Sequence, residues 1–269
     1  MSELPSISIV TVLHDLPQFH ILLEHNWNTL DYPKDKLEWI IVDDSKEDNS
    51  DKIPINDNIL YIKVSSEEYL KQIEFKKDDE KTTWNYHNKM GILPSGFMRD
   101  YAVGLTSNDY IIHFDIDTIY NPNTIKRKLR FLKDNKLQCV YCKSMLSYDI
   151  YNNVIYKVEN NFGYESTLFH TKDFWGKGGF KWEDTHSEAV AFYYGKGLDR
   201  KMDNYYDTIK LLSVHNIHKY KPIKIELENI KIDIPDIVSK MESPNHPLYD
   251  VLNDLFYKKN IDVLSIDSF

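Results

Sequence analysis

The chain has 269 residues, of which 42% are hydrophobic, so it can form one large packed domain or two small ones. Its net charge of −9 and the absence of a basic stripe exclude a nonspecific nucleic-acid-binding protein. No stretch approaches about 18 consecutive apolar residues and no signal-peptide pattern is present, so we expect no transmembrane segment. We expect a cytoplasmic location, in the native cell or in a host cell, and a domain of a larger protein fits the same composition.

Apolar segments rich in β-branched residues alternate with segments of helical spacing in the first half of the chain. The predicted strands are residues 7–12, 37–42, 59–64 and 110–114. Helical spacing runs through residues 17–30 and through a helix that ends near Gly104. Strands that alternate with helices form βαβ units, so the predicted fold class is α/β with a mostly parallel sheet.

The second half of the chain continues this pattern less regularly. Its predicted elements are a helix from Asn123 to about Leu132, strands over 138–145, 154–158 and 209–214, and a helix over 183–194. The tail is polar, with scattered apolar residues. We therefore expect one domain over residues 1–220 and a segment over 221–269 that packs on this domain or mediates association, as in a homodimer.

The most informative motif is Asp115-Ile116-Asp117, directly after the apolar run 110–114. Side chains two residues apart on a strand point to the same face, so the pair could hold one hard divalent cation. Ligands bind at the carboxyl ends of strands in open α/β sheets. Carboxylate and phosphate oxygens suit Mn²⁺ or Mg²⁺, and such a metal acts as a Lewis acid on a departing phosphate. The alternative interpretation is an acidic loop after a strand.

Four pieces of sequence, in this order, resemble the GT-A fold nucleotide-sugar glycosyltransferases, and family 2 in particular. They are the apolar strand 7–12, Asp43-Asp44-Ser45 after the second strand, the helical Gly96…Arg99-Asp100, and Asp115-Ile116-Asp117. The match extends over roughly residues 7–122. The resemblance implies a GT-A, Rossmann-like fold with a mixed, mostly parallel central sheet flanked by helices. Its nucleotide-sugar half would be about 1–120 and its acceptor half about 121–220.

The resemblance also implies roles for residues of the donor half. The residues that would contact the nucleotide sugar are Thr11, Val12, Asp43, Asp44, Arg99 and Asp115. Asp44, or its neighbour Asp43, would bind the base or ribose, and Asp117 would be a direct metal ligand together with Asp115. The chain departs from the family after the first strand, where Leu13-His14-Asp15 replaces the usual continuation. The contacts to the base therefore stay open.

The acceptor half contains a second resemblance to the family, in which Gly178-Gly179-Phe180 precedes an acidic pair. A carboxylate there would deprotonate the acceptor hydroxyl, with Asp184 favoured and Glu183 and Glu188 as alternatives. Trp175 and Trp182 would stack on sugar rings, or would pack in the core. His215 follows a late strand, where many metal-dependent GT-A enzymes supply a third metal ligand, and His218 competes with it.

These features predict a metal-dependent glycosyltransferase that moves a sugar from a UDP-sugar to a hydroxyl of a glycan or protein. The resemblance to family 2 favours inversion of configuration. A histidine after a late strand also occurs in retaining GT-A enzymes, so retention stays open. The abundance of Ile, Lys, Asn and Tyr indicates an AT-rich genome, as in giant DNA viruses, and makes a collagen-like hydroxylysine glycan one acceptor to test.

Two other functions compete with this prediction. A nucleotidyltransferase has a similar sheet and an acidic metal site, but it should show a Gly-rich, basic phosphate loop where this chain has His14-Asp15-Leu16-Pro17. A catalytically inactive glycan-binding module is the non-enzymatic alternative. The presence of both Asp115 and Asp117, together with the acidic pair Glu183-Asp184, argues against it.

Overall fold

The computed structural model describes residues 3–14, 19–65, 67, 93–149, 154–159, 163–182, 188–193, 196, 200–203, 208–212 and 223–225. The strands in these residues are β1 (Ile7–Leu13), β2 (Leu37–Asp43), β3 (Ile59–Lys63), β4 (Tyr110–His113), β5 (Thr118–Tyr120), β6 (Cys139–Cys142), β7 (Ser144–Asp149), β8 (Val154–Glu159), β9 (Phe169–Thr171), β10 (Arg200–Asp203), β11 (Thr208–Leu212) and β12 (Ile223–Ile225). The helices are α1 (Ile21–Thr29), α2 (Ser95–Gly104), α3 (Thr124–Asp134), α4 (Lys172–Gly176) and α5 (Glu188–Tyr193).

The chain divides into two compact units, one of residues Met1–Met145 with Glu159–Thr208 and one of Leu146–Val158 with Ile209–Phe269. The predicted strand over 138–145 is in fact two strands, because β6 ends at Cys142 and β7 begins at Ser144. Most of β7 belongs to the second unit. The predicted domain boundary at residue 220 lies outside the described residues and stays a prediction.

The first unit is organised by a seven-stranded sheet in the order β10-β6-β9-β4-β1-β2-β3. β1 pairs in parallel with both β2 and β4, β2 pairs in parallel with β3, and β10 pairs in parallel with β6. β9 runs antiparallel between β4 and β6. The sheet is therefore mixed and mostly parallel, which confirms the predicted fold class.

The strand order reverses at β1. From β1 the chain builds outward through β2 to β3, and β4 then returns to the other side of β1. In open α/β sheets such a reversal leaves a crevice at the carboxyl ends of the two central strands, and ligands bind there. The residues that follow β1, β2 and β4 are thus placed around one expected ligand site.

The core of the first unit explains why these strands are central. Every residue of β1 is buried, as expected for a parallel strand that is covered on both faces. Trp39 on β2 stacks on Trp27 of α1, with ring centroids 5.7 Å apart. On α2, Phe97, Met98, Ala102 and Val103 are all buried. Burial of one large apolar side chain contributes about 1.5–3 kcal/mol, so this core fixes the strand ends that carry the site.

The second unit contains a smaller sheet in which β8 and β7 are neighbours, flanked by β12 and β11. β11 runs parallel to β7 and β12 runs antiparallel to β8. Within the described part of the chain, no helix is long and apolar enough to cross a membrane.

Candidate active site

The Asp-x-Asp motif lies in a turn and not on a strand. β4 ends at His113, and Asp115 and Asp117 lie in the tight connection to β5, where the Thr118 amide donates to the Asp115 carbonyl at 3.3 Å. The prediction that strand alternation places the two carboxylates on one face was therefore wrong in its premise. Phe114, Ile116 and Thr118 are buried while both aspartates are partly exposed, so the turn itself presents both carboxylates away from the core.

An aromatic side chain anchors this turn. The backbone N–H of Asp115 donates to the hydroxyl of Tyr120 at 2.7 Å, and the Tyr120 ring stacks on Phe114 with centroids 3.7 Å apart. The Thr118 hydroxyl donates to Asp117 Oδ1 at 3.2 Å. Two carboxylates held in this way are suitable ligands for a hard cation whose remaining ligands are phosphate oxygens. Of the described residues, no three His, Cys, Asp or Glu side chains form a metal-binding group, and His215 and His218 lie outside them.

Arg99 is the buried cation of the site. Its Nη2 donates to Asp115 Oδ1 at 2.8 Å, and only 5% of the residue is exposed. Its Nε and Nη1 are buried without a hydrogen-bond partner among the described residues. Burial alone would lower the pKa of Arg99, but the charges of Asp115, Glu188 and Glu165 outweigh it and raise the pKa. Arg99 is therefore a permanent cation, and two of its nitrogens, Nε and Nη1, remain available as donors among the described residues.

Glu188 and Glu165 place two further carboxyl groups near Arg99. Glu188 begins α5 and is 5% exposed. Glu165 opens a single 3₁₀ turn, Glu165–Thr167, and its Oε1 accepts the backbone N–H of Ala189 at 3.2 Å, which fixes the start of α5. Burial raises the pKa of the Glu165 carboxyl, and the negative charge of Glu188 raises it further. Glu165 was missed from the sequence, because a lone glutamate in a loop carries no motif.

Asp43 is a structural carboxylate. It is fully buried, and Oδ1 accepts the Ser45 N–H at 2.7 Å while Oδ2 accepts from Tyr61 at 2.7 Å and from Asn49 at 3.0 Å. Burial opposes its ionisation, but these hydrogen bonds prevail and lower the pKa of Asp43. Asp43 therefore holds the loop after β2, and its neighbour Asp44 is the better candidate for a ligand-site residue.

Asp44 faces the end of β1. Its Oδ1 lies 2.6 Å from Nδ1 of His14, and its Oδ2 accepts the Leu93 N–H at 2.6 Å. Thr11 and Val12 precede this pair on β1 with buried side chains, and Thr11 Oγ1 accepts the indole N–H of Trp39 at 2.9 Å. Any contact of Thr11 or Val12 with a ligand would therefore involve the backbone.

Asp100 organises the predicted acceptor segment. Its Oδ1 accepts the indole N–H of Trp175 at 2.6 Å and the backbone N–H of Phe180 at 2.8 Å, and its Oδ2 accepts the indole N–H of Trp182 at 2.7 Å. Trp182 also packs edge-on against Phe97, with centroids 5.1 Å apart. The structure thus brings both predicted tryptophans together around one carboxylate, and their contact with sugars stays a prediction. Glu183 and Asp184 lie outside the described residues.

A glycine at position 179 is required by this arrangement. Gly179 has φ of +57°, and an added Cβ would lie 2.5 Å from Asp100 Oδ1. We expect Gly179→Ala to destabilise the protein by about 1–3 kcal/mol, because a left-handed backbone and a displaced carboxylate both cost free energy. Urea unfolding followed by tryptophan fluorescence measures this, since both indoles bind Asp100.

Gly176→Ala is the matched control for that substitution. Gly176 lies in α4, and an added Cβ would meet nothing within 4 Å. We expect Gly176→Ala to be neutral or stabilising by about 0.4–1 kcal/mol. Equal unfolding midpoints for the two variants would show that the contact between Gly179 and Asp100 does not constrain the segment.

Comparison with known proteins identifies the fold through structures and not through sequence. No protein-family model and no curated protein sequence matches the chain. Among solved structures, S. aureus TarS 1–349 matches with a TM-score of 0.51 and 11% identity over 77% of this chain, and its complex with UDP-GlcNAc matches with a TM-score of 0.53 and 10% identity over 97% of this chain. The mannosyltransferase PcManGT from Pyrobaculum calidifontis, in complex with GDP-Man and Mn²⁺, matches with a TM-score of 0.50 and 11% identity over 79% of this chain.

The matched regions cover 60% of the TarS 1–349 chain, 76% of the TarS chain in the UDP-GlcNAc complex and 58% of the mannosyltransferase chain. The chain thus spans little more than half the length of two of these neighbours. At these identities the likeness concerns the fold alone. The chain has the fold of the GT-A nucleotide-sugar glycosyltransferases, as the order of its sequence motifs predicted.

Proposed function

We propose that the chain is a metal-dependent glycosyltransferase that moves a sugar from a nucleotide sugar to a hydroxyl group. The observation that carries this proposal is the convergence of Asp115, Asp117, Arg99 and the His14–Asp44 pair at the carboxyl ends of β1, β2 and β4. Carboxylates for a cation, and a buried guanidinium with donors that no described residue engages, meet the needs of a diphosphate leaving group.

We propose a UDP-sugar as the donor. The TarS structures with UDP and with UDP-GlcNAc support uridine, whereas the neighbour with GDP-Man and Mn²⁺ makes a guanosine sugar the first competitor. The acceptor would be a hydroxyl of a glycan or protein, and a collagen-like hydroxylysine glycan is one to test. A viral source, a cytoplasmic location, a homodimer, and the packing or association of residues 221–269 stay predictions.

The proposed division of labour follows from the positions of the side chains. A bound Mn²⁺ or Mg²⁺ would be held by Asp115 and Asp117 and would supply Lewis-acid stabilisation to the departing diphosphate. Arg99 donates a charge-assisted hydrogen bond to Asp115 and offers Nε and Nη1 to anionic oxygens. Because both donors are already buried, their interaction with developing negative charge is strong and needs little reorganisation.

We propose Glu188 as the base that removes the proton of the acceptor hydroxyl in an inverting displacement. The sequence alone favoured Asp184, with Glu183 as a further alternative. The support for Glu188 is that it starts a helix after the Gly-Gly-Phe segment and that its charge acts on Arg99, whereas Glu183 and Asp184 lie outside the described residues. A retaining mechanism would require no such base, and it stays open as the alternative.

Binding of the nucleotide should depend on the metal. We expect UDP with Mn²⁺ to raise the melting temperature, because a ligand present at a hundredfold excess over Kd stabilises the folded state by about 2.7 kcal/mol. UDP with a chelator should do much less. Differential scanning fluorimetry with UDP and Mn²⁺ varied independently measures the coupling between the two ligands.

Asp117→Asn is the diagnostic variant in this experiment, since an amide is a neutral and weaker ligand for a hard cation. It should keep its melting temperature without ligand and lose the Mn²⁺-dependent shift. Asp134→Asn, at an exposed position of α3, is the matched control and should behave like the wild-type protein. Equal shifts with Mn²⁺ and with chelator would contradict the metal site. A metal-dependent shift without sugar transfer to any acceptor would favour the nucleotidyltransferase or the inactive module.

A further inference from the structure

The carboxylate predicted to meet the nucleotide is not free to do so. Asp44 Oδ1 is engaged by His14 Nδ1 and Oδ2 by the Leu93 N–H, both at 2.6 Å. Only 3% of the Asp44 side chain is exposed, compared with 26% of the His14 side chain. A ligand that enters the crevice at the end of β1 would therefore meet the imidazole of His14 before it met the carboxylate behind it.

The hydrogen bond to Asp44 also determines the chemistry of the imidazole. An ionised carboxylate can only accept, so Nδ1 of His14 carries a proton, and Nε2 is the ring nitrogen left for a ligand. Asp44 at the end of β2, Glu188 on α5 and Arg99 on α2 are the charged groups that act on His14. Burial would lower the pKa of His14, and Arg99 lowers it too, but Asp44 and Glu188 prevail and the pKa is raised.

We propose that His14 is the residue of this edge that contacts the nucleotide part of the donor, through Nε2, and that Asp44 is a positioning residue that acts through it. The inference rests on the proposed function and deepens it. In its protonated form His14 donates from Nε2 to an anionic or carbonyl oxygen of the nucleotide. Leu13-His14-Asp15 departs from the family pattern, but the nucleotide site would be retained, with His14 as the residue that contacts the nucleotide.

The affinity for the donor should therefore be higher at low pH than at high pH. A histidine whose protonated form binds the donor contributes full affinity below its pKa and loses it as the pH rises through that pKa. As the pH rises through the pKa, Kd should rise to a plateau about tenfold higher, because donor binding first requires the uptake of a proton and then proceeds without the protonated imidazole. The test uses UDP-GlcNAc and GDP-mannose with Mn²⁺, since the diphosphate of a nucleotide sugar has no proton to lose near neutral pH.

Isothermal titration calorimetry from about pH 6 to about pH 8.5 gives both Kd and, from two buffers of different ionisation enthalpy, the number of protons taken up. We expect proton uptake by the wild-type protein and none by His14→Gln, whose affinity should be about tenfold weaker at low pH and independent of pH. Asp44→Asn should retain binding at low pH and move the loss of affinity to lower pH, because the imidazolium loses its counterion.

His25→Gln is the matched control. His25 lies on α1, and burial lowers its pKa to about 4, so it stays neutral across the range and should not alter proton uptake. If His14→Gln binds like the wild type with the same pH dependence, or is weakened equally at every pH with proton uptake intact, the inference is wrong. If the wild-type protein binds neither nucleotide sugar with Mn²⁺, the proposed function fails and the inference falls with it.

Discussion

Replacement of Arg99 by methionine should destabilise the protein by about 3–5 kcal/mol, because it removes the buried cation that the surrounding carboxylates are paired with. Asp115 would lose its hydrogen bond at 2.8 Å, and Glu165 and Glu188 would lose the positive charge of Arg99, with which both interact. Uncompensated buried carboxylates bind protons and lower the stability of the folded state. The same variant should bind a nucleotide sugar much more weakly, since Nε and Nη1 are lost as donors.

Urea unfolding of Arg99→Met and of Arg130→Met measures this effect against a matched control. Arg130 lies on α3 with 78% of its side chain exposed, and its loss should change stability by no more than about 0.5 kcal/mol. The penalty at Arg99 should be largest at neutral pH and should shrink below about pH 4, because protonated carboxyl groups no longer need the cation. A difference of less than about 1 kcal/mol at neutral pH would show that Arg99 is not the charge that stabilises the site.

Glu188→Gln should lower kcat by about 10²–10⁴-fold, the usual contribution of a general base. Glutamine keeps the volume of glutamate but cannot accept a proton at neutral pH. At a pH below the pKa of His14, the Kd of the nucleotide sugar should change little, because Glu188 is assigned to the acceptor hydroxyl and His14 is then protonated with or without the charge of Glu188. The effect on kcat is measured as sugar transfer to an acceptor that the wild-type protein uses. The effect on donor Kd is measured by calorimetry on the same preparation.

The controls for this prediction are variants of Asp184, which the sequence analysis favoured as the base, and of Glu183, which it gave as an alternative. Asp184→Asn and Glu183→Gln should keep most of their activity if Glu188 is the base. An inactive Asp184→Asn beside a fully active Glu188→Gln would return the assignment to the residue favoured from sequence. If all three variants turn over normally, a retaining mechanism without an enzymic base becomes the better interpretation.

The donor half of the site was predictable because its residues follow strands. The carboxyl ends of parallel strands meet at one edge, so a motif directly after β2 and another after β4 must approach each other whatever the loops do. The α/β sheet itself was predictable because apolar strand segments alternate with segments of helical spacing, which is typical of βαβ units. Asp44 and Asp115 could therefore be placed at one edge of the sheet without coordinates.

The rest of the site depends on contacts between residues distant in sequence, which the spacing of apolar residues along the chain does not predict. Glu165 reaches the site from a single 3₁₀ turn, and Asp100 faces the tryptophans only because the chain returns past α2 after residue 174. The turn that carries Asp117 was mistaken for a strand, since alternating burial in a tight turn looks like strand alternation in sequence. From the sequence, His14 was only a departure from the family pattern. Its proposed role becomes visible once the structure shows that His14 and the Leu93 N–H contact the two oxygens of Asp44.

Helix α2 connects the two halves of the site through consecutive residues. Arg99 binds Asp115 while Asp100 holds Trp175 and Trp182, and adjacent positions on a helix point about 100° apart. One rigid element thus carries both the contact to the donor side and the anchor of the acceptor segment. For a transferase with its donor at Arg99, a donor that shifts this helix changes the acceptor affinity, and linkage requires the acceptor to change the donor affinity by the same factor. The strength of this coupling would then depend on how far the single helix α2 moves when either substrate binds.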